Sequence, residues 1–281
     1  FRWDDKQRDP KLRLADMDKG RVDAAVLSIL PPFFAYGEPA EVAVRLAGLI
    51  NDGLEQTVKA GGGRLLPMGH VPLQDPAAAI AEMEKRRFPA VQIGSNVNGR
   101  NLDAPELLPF FQAAERLGVL IFVHPTPSGI IGADRLKDYY LRNFIGNVTD
   151  TAVAIASLAF GGVLDACPKL NFCFANGGGS APYIWGRWAH GQTVRKEPNV
   201  RTTTPVLELM QRLYFDSLTH GEPALRHLVS VAAPGHVMLG SDYPADMGNE
   251  WQVAPIGKMG FAPEVTRSLL GGTAARLLRL G

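Results

Sequence analysis

Three stretches place residues with useful chemistry directly behind strand-like apolar runs. His124 closes the run Val119–Val123 and is followed by Pro125. Asp242 follows Val237–Gly240 and precedes Tyr243-Pro244. Asn176-Gly177-Gly178-Gly179-Ser180 follows a run ending at Ala175. A neutral imidazole held at a strand end by a proline turn suits a divalent metal. A carboxylate in an equivalent place can bind an ion or move a proton. Each has an ordinary alternative: a half-buried structural histidine, or an Asx turn or helix cap. The three glycines permit close approach of backbone N–H groups to an anion, or they simply make a tight strand-to-helix turn. Pro182 stands where a nucleophile elbow needs its last glycine, so Ser180 is not read as a nucleophile.

Other candidates carry less. His70, between Gly69 and Val71, reads as structural. His190, His220, His227 and His236 fall on helix or loop segments and read mostly as solvated, with His220 facing the rim if the strands close into a barrel. Lys85-Arg86-Arg87 reads as a solvated helix end that complements the helix dipole. The two cysteines, Cys167 and Cys173, have no CxxC spacing, which argues against a disulfide scaffold, a zinc ribbon and a thioredoxin-like pair. A reducing, cytoplasmic compartment is the expectation.

These residues need a frame that brings strand ends together. Seven short apolar runs alternate with helix-like segments: Val22–Leu30, Arg64–Val71, Pro89–Gly94, Gly118–His124, Leu170–Ala175, Leu213–Ser217 and His236–Asp242. Continuous apolar runs of this length suit strands buried on both faces of a parallel sheet. The segments between them, Ala40–Ala60, Asp75–Lys85, Ala104–Leu117, Asn147–Asp165, Pro223–Val231 and Ala262–Leu278, carry helical spacing and helix start or stop signals. The pattern predicts one α/β domain over residues 1–281, a (β/α)8 TIM barrel; since such a barrel needs eight strands, either one goes unrecognised here or the chain lacks the first, upstream of Phe1. An open, doubly wound sheet is the runner-up, but neither GxGxxG nor GxxxxGK[ST] is present.

Composition agrees. The 281 residues are 46% apolar with a net charge of +1, enough for a full core and without the charge blocks that would point to nucleic acid or an anionic membrane. The longest apolar run, Thr151 to Leu164, is shorter than the ~18 residues of a membrane span and predicts a buried helix. The chain begins at Phe1 without a methionine or a basic-then-apolar leader, and an upstream segment is expected.

Val123-His124-Pro125, Phe174-Ala175-Asn176-Gly-Gly-Gly-Ser180 and Leu239-Gly240-Ser241-Asp242-Tyr243-Pro244, in this order, resemble the metal-dependent decarboxylase branch of the amidohydrolase superfamily. Val71-Pro72-Leu73-Gln74-Asp75, Val91-Gln92-Ile93-Gly94 and Phe215-Asp216-Ser217 agree. The resemblance implies a (β/α)8 barrel with one divalent metal, zinc first and manganese as the alternative. Its ligands would be a His-x-His pair on the first strand, a histidine after strand five and an aspartate after strand eight. His124 and Asp242 match the last two; the pair has no counterpart. Arg2 matches an arginine that binds the substrate carboxylate. Arg187 matches a second one that reaches a neighbouring subunit's site, which implies a homodimer. The family has a histidine where this chain has Asn176, and asparagine cannot act as a base. Asp242 is then expected both to face the metal and to carry the proton, with Asn176 only positioning groups. The activity expected is decarboxylation of a small carboxylated aromatic or muconate-like acid. The alternatives are hydrolysis of an amide, lactone or C–C bond, and an inactive binding protein. Phe33, Phe34, Tyr36, Trp185 and Trp188 are candidate pocket walls or core.

Overall fold

The computed structural model of the protein describes residues 5–248 and 253–280. Its centre is a sheet of seven strands: β1 (Ala25–Leu27), β2 (Leu65–His70), β3 (Ala90–Gly94), β4 (Leu120–His124), β5 (Phe172–Phe174), β6 (Tyr214–Asp216) and β7 (Val237–Met238). Every neighbouring pair is parallel, and the spatial order is the chain order. A doubly wound sheet reverses its order at a switch point. This one does not, so that alternative is excluded and the sheet is a curled half-barrel. All seven expected runs are strands, each shorter than its apolar run by a residue or more at one or both ends, because the flanking apolar residues turn into loops that close the core.

The helices are α1 (Pro10–Gly20), α2 (Ala40–Ala60), α3 (Pro76–Arg86), α4 (Leu108–Leu117), α5 (Val148–Phe160), α6 (Val163–Ala166) and α7 (Ala181–Val194). They are followed by α8 (Val206–Met210), α9 (Glu222–Val231), α10 (Val253–Lys258), α11 (Pro263–Arg267) and α12 (Thr273–Leu278). Asp75 caps α3 by accepting the Ala78 N–H, with Pro76 at its first position. Asp9-Pro10 starts α1 in the same way, a signal the helix expectations omit. α7, α8 and α10 were not expected either. The helix expected over Asn147–Asp165 breaks at Gly161-Gly162, where Gly162 takes a left-handed turn.

The buried apolar residues form an inner core, an outer core and a third cluster of Met17, Val22, Leu27, Leu54, Leu65 and Phe88 about β1 and the start of β2. Met68, Ala90, Leu120, Cys173, Tyr214 and Met238 fill the inner face. The outer face packs under the helices, with Phe111 edge-on to Phe172 at 5.5 Å and Phe172 stacked near Phe174. Phe34, Tyr36 and Trp185 are buried in this outer core, and Trp188 packs against it; they are core, not pocket wall. Arg86 is not the solvated helix end expected. It reaches back under α2, 2.8 Å from Glu82, 2.7 Å from Asp52 and 3.1 Å from Glu55, with its side chain 8% exposed.

His70 is structural, as expected. Asn51 brackets it, donating to its carbonyl and accepting its N–H, both at 2.9 Å. The ring stacks on Phe34 at 5.9 Å, and neither ring nitrogen has a hydrogen-bond partner among the described residues. Burial lowers the imidazole pKa from 6.5 to about 4. The native state therefore resists a proton that the unfolded chain accepts. The stability this provides is whole above pH 6.5 and is lost as the pH falls through that window toward 4. Urea unfolding of wild type and His70→Gln should diverge by about 3 kcal/mol between pH 7 and pH 4, the wild type losing more. Parallel curves would show that burial does not suppress the charge.

Candidate active site

Parallel strands in sequential order put all their carboxyl ends on one rim, and a cavity of about 830 Å³ opens there. His124 enters it from β4, Asn176 and Ser180 from the loop after β5, His220 from the loop after β6, and Asp242 from the loop after β7. Asn143, Phe144 and Asn147 enter from a π-helical turn, Arg142–Asn147, that leads into α5. Tyr183 of α7 and His227 of α9 complete the wall.

His124 Nδ1 lies 2.7 Å from the carbonyl oxygen of Pro125. A carbonyl only accepts, so Nδ1 carries the proton and Nε2 keeps its lone pair. Burial pushes the His124 pKa down, against the attraction of Asp242, which keeps the ring neutral. Asp242 is exposed at the rim, and partial desolvation there draws its carboxyl up, opposed by His124 and His220. A neutral imidazole with a free lone pair and a carboxylate on the wall of the same cavity are donor types suited to a divalent cation. Among the described residues no group of three or more His, Cys, Asp or Glu could hold a metal. His124 and Asp242, the two residues that the sequence resemblance offers as ligands, both line this cavity.

Asn176, His220 and Asp242 share an unusual backbone. Their φ angles are 54°, 58° and 51°, in the left-handed region that few non-glycine residues occupy. Each sits where a strand end must turn sharply, and such conformations persist only where surrounding contacts impose them.

The glycine loop is a tight turn, not an anion cradle. Gly177 N–H donates to the Asp216 carboxylate at 2.7 Å, Gly178 to Ala175, Gly179 to Asn176 and Ser180 to Val148. The loop has no backbone donor left for a ligand. Asp216 is buried, and its pKa is pushed up to about 6 by desolvation, opposed by the backbone N–H groups of Gly177, Leu218 and Asn176. His227 is exposed, as expected, and also lines the cavity, with its Nε2 3.2 Å from the Pro182 carbonyl. Arg187 lies exposed on α7 outside this cavity, with no ion pair or hydrogen bond among the described residues. Arg2 lies outside the described residues. The motifs did not point to Asn143, Phe144, Asn147 or Tyr183. Asparagines and aromatics in helical segments carry no spacing signal, and only the π-helical turn and the start of α7 bring them to the rim.

The amidohydrolase family model matches residues 2–280, so the chain belongs to that family. It is 37% identical over 279 residues to 2-amino-3-carboxymuconate-6-semialdehyde decarboxylase of Dictyostelium discoideum, covering 97% of this chain and 77% of that one. Among solved structures, 5-carboxyvanillate decarboxylase from Sphingomonas paucimobilis superposes with a TM-score of 0.87 at 28% identity, covering 96% of this chain and 83% of that one. The corresponding enzyme from Novosphingobium aromaticivorans, complexed with manganese and 4-hydroxy-3-methoxy-5-nitrobenzoic acid, shares the fold, with a TM-score of 0.84 at 23% identity over 96% and 80% of the two chains. Within a superfamily that depends on divalent metals, the protein is an enzyme of the carboxy-lyase class.

Gly179 marks how tightly the rim is built. Its φ is 62° and ψ −131°, and a Cβ there would lie 2.1 Å from the Val148 oxygen. Gly179→Ala should cost at least about 2 kcal/mol. Gly53→Ala, on a helix with open space around it, should instead add about 0.5–1 kcal/mol. Thermal melts of the two variants check the contrast.

Proposed function

We propose that the protein decarboxylates a small carboxylated aromatic or muconate-like acid in the rim cavity, with His124 and Asp242 holding one divalent metal. The observation that carries this reading is that His124, its Nδ1–H spent on the Pro125 carbonyl and its Nε2 lone pair free, shares with Asp242 a rim cavity that has ample room for a single-ring acid. The substrates named by the relatives support the acid class. The manganese of one structural neighbour supports a divalent ion of that kind, and zinc is the ion that the sequence resemblance implies.

A divalent ion held by His124 Nε2 and Asp242 would supply Lewis acidity toward a substrate oxygen. Asp242 also delivers a proton to the carbon bearing the carboxylate. The bond from that carbon to the carboxylate then breaks, its electron pair returns to the carbon–carbon π system, and CO2 leaves. Net, one proton replaces one CO2. Asn176 takes no proton; its amide orients the substrate, and Asn143 and Asn147 offer further amide donors along the same cavity. Among the described residues no lysine or arginine lines the cavity, and Arg187 stands exposed and unpaired on α7. This supports a homodimer in which Arg187 reaches the neighbouring site, with Arg2 as the carboxylate-binding arginine of the chain's own site. Cys167 and Cys173 are both buried and unbonded, which supports a cytoplasmic setting. No described helix is long and apolar enough to cross a membrane.

Assay of the metal-loaded protein against a panel of such acids should show CO2 release. Asp242→Asn should lower kcat at least about 100-fold, and Asn176→His should add an ionisation near pH 6.5 to the pH–rate profile. Full activity in Asp242→Asn would remove that residue from proton transfer. Turnover that consumes water without releasing CO2 would mark hydrolysis instead.

A further inference from the structure

The two residues assigned to substrate chemistry, Asn176 after β5 and Asp242 after β7, leave strands that do not pair with each other. Between them stands β6, and its last residue, Asp216, is buried. Its Oδ1 accepts the Gly177 N–H at 2.7 Å and the Leu218 N–H at 3.1 Å. The first bond closes the turn in which Asn176 and Gly177 are both left-handed, with φ of 54° and 62°. On the other side, the end of β7 runs against the same side chain. A Cβ added to Gly240 would lie 2.7 Å from the Asp216 Cβ and 3.0 Å from its Oδ2. The next residue along β6 continues the tie, because Ser217 Oγ accepts the Gly240 N–H at 3.2 Å. Asp242 is two residues beyond Gly240.

We propose that Asp216 is a positioning residue of the site: wedged between the Asn176 turn and the Gly240 backbone, its carboxylate sets the placement of Asn176 relative to Asp242. It reaches no substrate itself and does not line the cavity. Its work is done through an acceptor oxygen toward β5 and through its volume toward β7. The proposal rests on the reading that Asn176 and Asp242 act on the substrate.

The geometry assigns different outcomes to different replacements. Asp216→Asn keeps an acceptor oxygen at nearly the same volume, so kcat should stay within about threefold of wild type. Asp216→Leu removes the acceptor, and kcat should fall about 100-fold, the effect of an ångström-scale misplacement, while KM changes little. Asn176→Ala should cost at least about tenfold in wild type but less than about threefold in the Asp216→Leu background, since a side chain already misplaced has little left to lose. Should Asp216→Leu fail to fold, Gly240→Ala presses on Asp216 from the β7 side and should lower kcat in the same way. Equal losses in Asp216→Asn and Asp216→Leu, an Asn176→Ala cost that is the same in both backgrounds, or a folded Gly240→Ala with wild-type kcat would overturn the proposal. A separate readout keeps it apart from the decarboxylase reading. Hydrogen exchange at the Gly177 amide should be slow in wild type and Asp216→Asn, and at least about tenfold faster in Asp216→Leu. Wild type that releases no CO2 from any acid tested, yet shows this exchange pattern, defeats the activity and leaves the tether standing. Unchanged exchange in Asp216→Leu defeats the tether alone.

Discussion

Parallel pairing in chain order is the constraint on which the rest of the molecule depends. Strands that all run the same way must all end on the same edge, and each must be followed by a crossover that returns the chain to the other edge. The helices are those crossovers, and the loops leaving β4, β5, β6 and β7 are therefore forced to meet. A cavity at that edge follows from this geometry, and so does the convergence of an imidazole, an amide and a carboxylate from positions spread over more than a hundred residues. Nothing local to His124 or Asp242 could bring them together.

What converts convergence into a site is the conformation of the turns. Asn176, His220 and Asp242 all adopt left-handed backbone, and all open on the same cavity. A turn of that kind reverses the chain within a residue or two, which aims a side chain across the rim instead of away from it. The Asn176 turn is imposed from below: by the Asp216 carboxylate under Gly177, and by the Val148 carbonyl that accepts from Ser180. The glycine loop looks like an anion cradle only while its neighbours are unknown. Once Asp216 is in place, the anion that its first N–H meets belongs to the protein.

Charge follows the same logic of neighbours. His124 is held neutral by burial while its Nδ1–H is spent on a carbonyl, which leaves one lone pair to offer. Arg86 shows the opposite case, a cation drawn under α2 because three carboxylates gather around it. The family model and the decarboxylases among the relatives then identify the class of enzyme: a carboxy-lyase of a superfamily that depends on divalent metals. Asn176 distinguishes this chain's rim by offering an amide where the sequence resemblance leads one to expect an imidazole.

The strands were legible because a strand buried on both faces must be apolar without interruption, and seven such runs recur between helix-length segments. α2 was readable to its last residue, since Ala40–Ala60 is periodic and the glycines after it stop it. His124, Asn176 and Asp242 were legible because each directly follows an apolar run, and position at a strand end is a one-dimensional fact. Left for the tertiary structure to decide were the facts that depend on which distant residue lies opposite: His227 on the cavity wall, the asparagines of the π-helical turn, the fate of the glycine-loop N–H groups, and whether aromatics such as Phe34 and Trp185 belong to core or pocket. Periodicity records how a segment meets water. It carries no record of which neighbour excludes the water, and hydrogen bonds, ion pairs and pKa shifts are set by that neighbour.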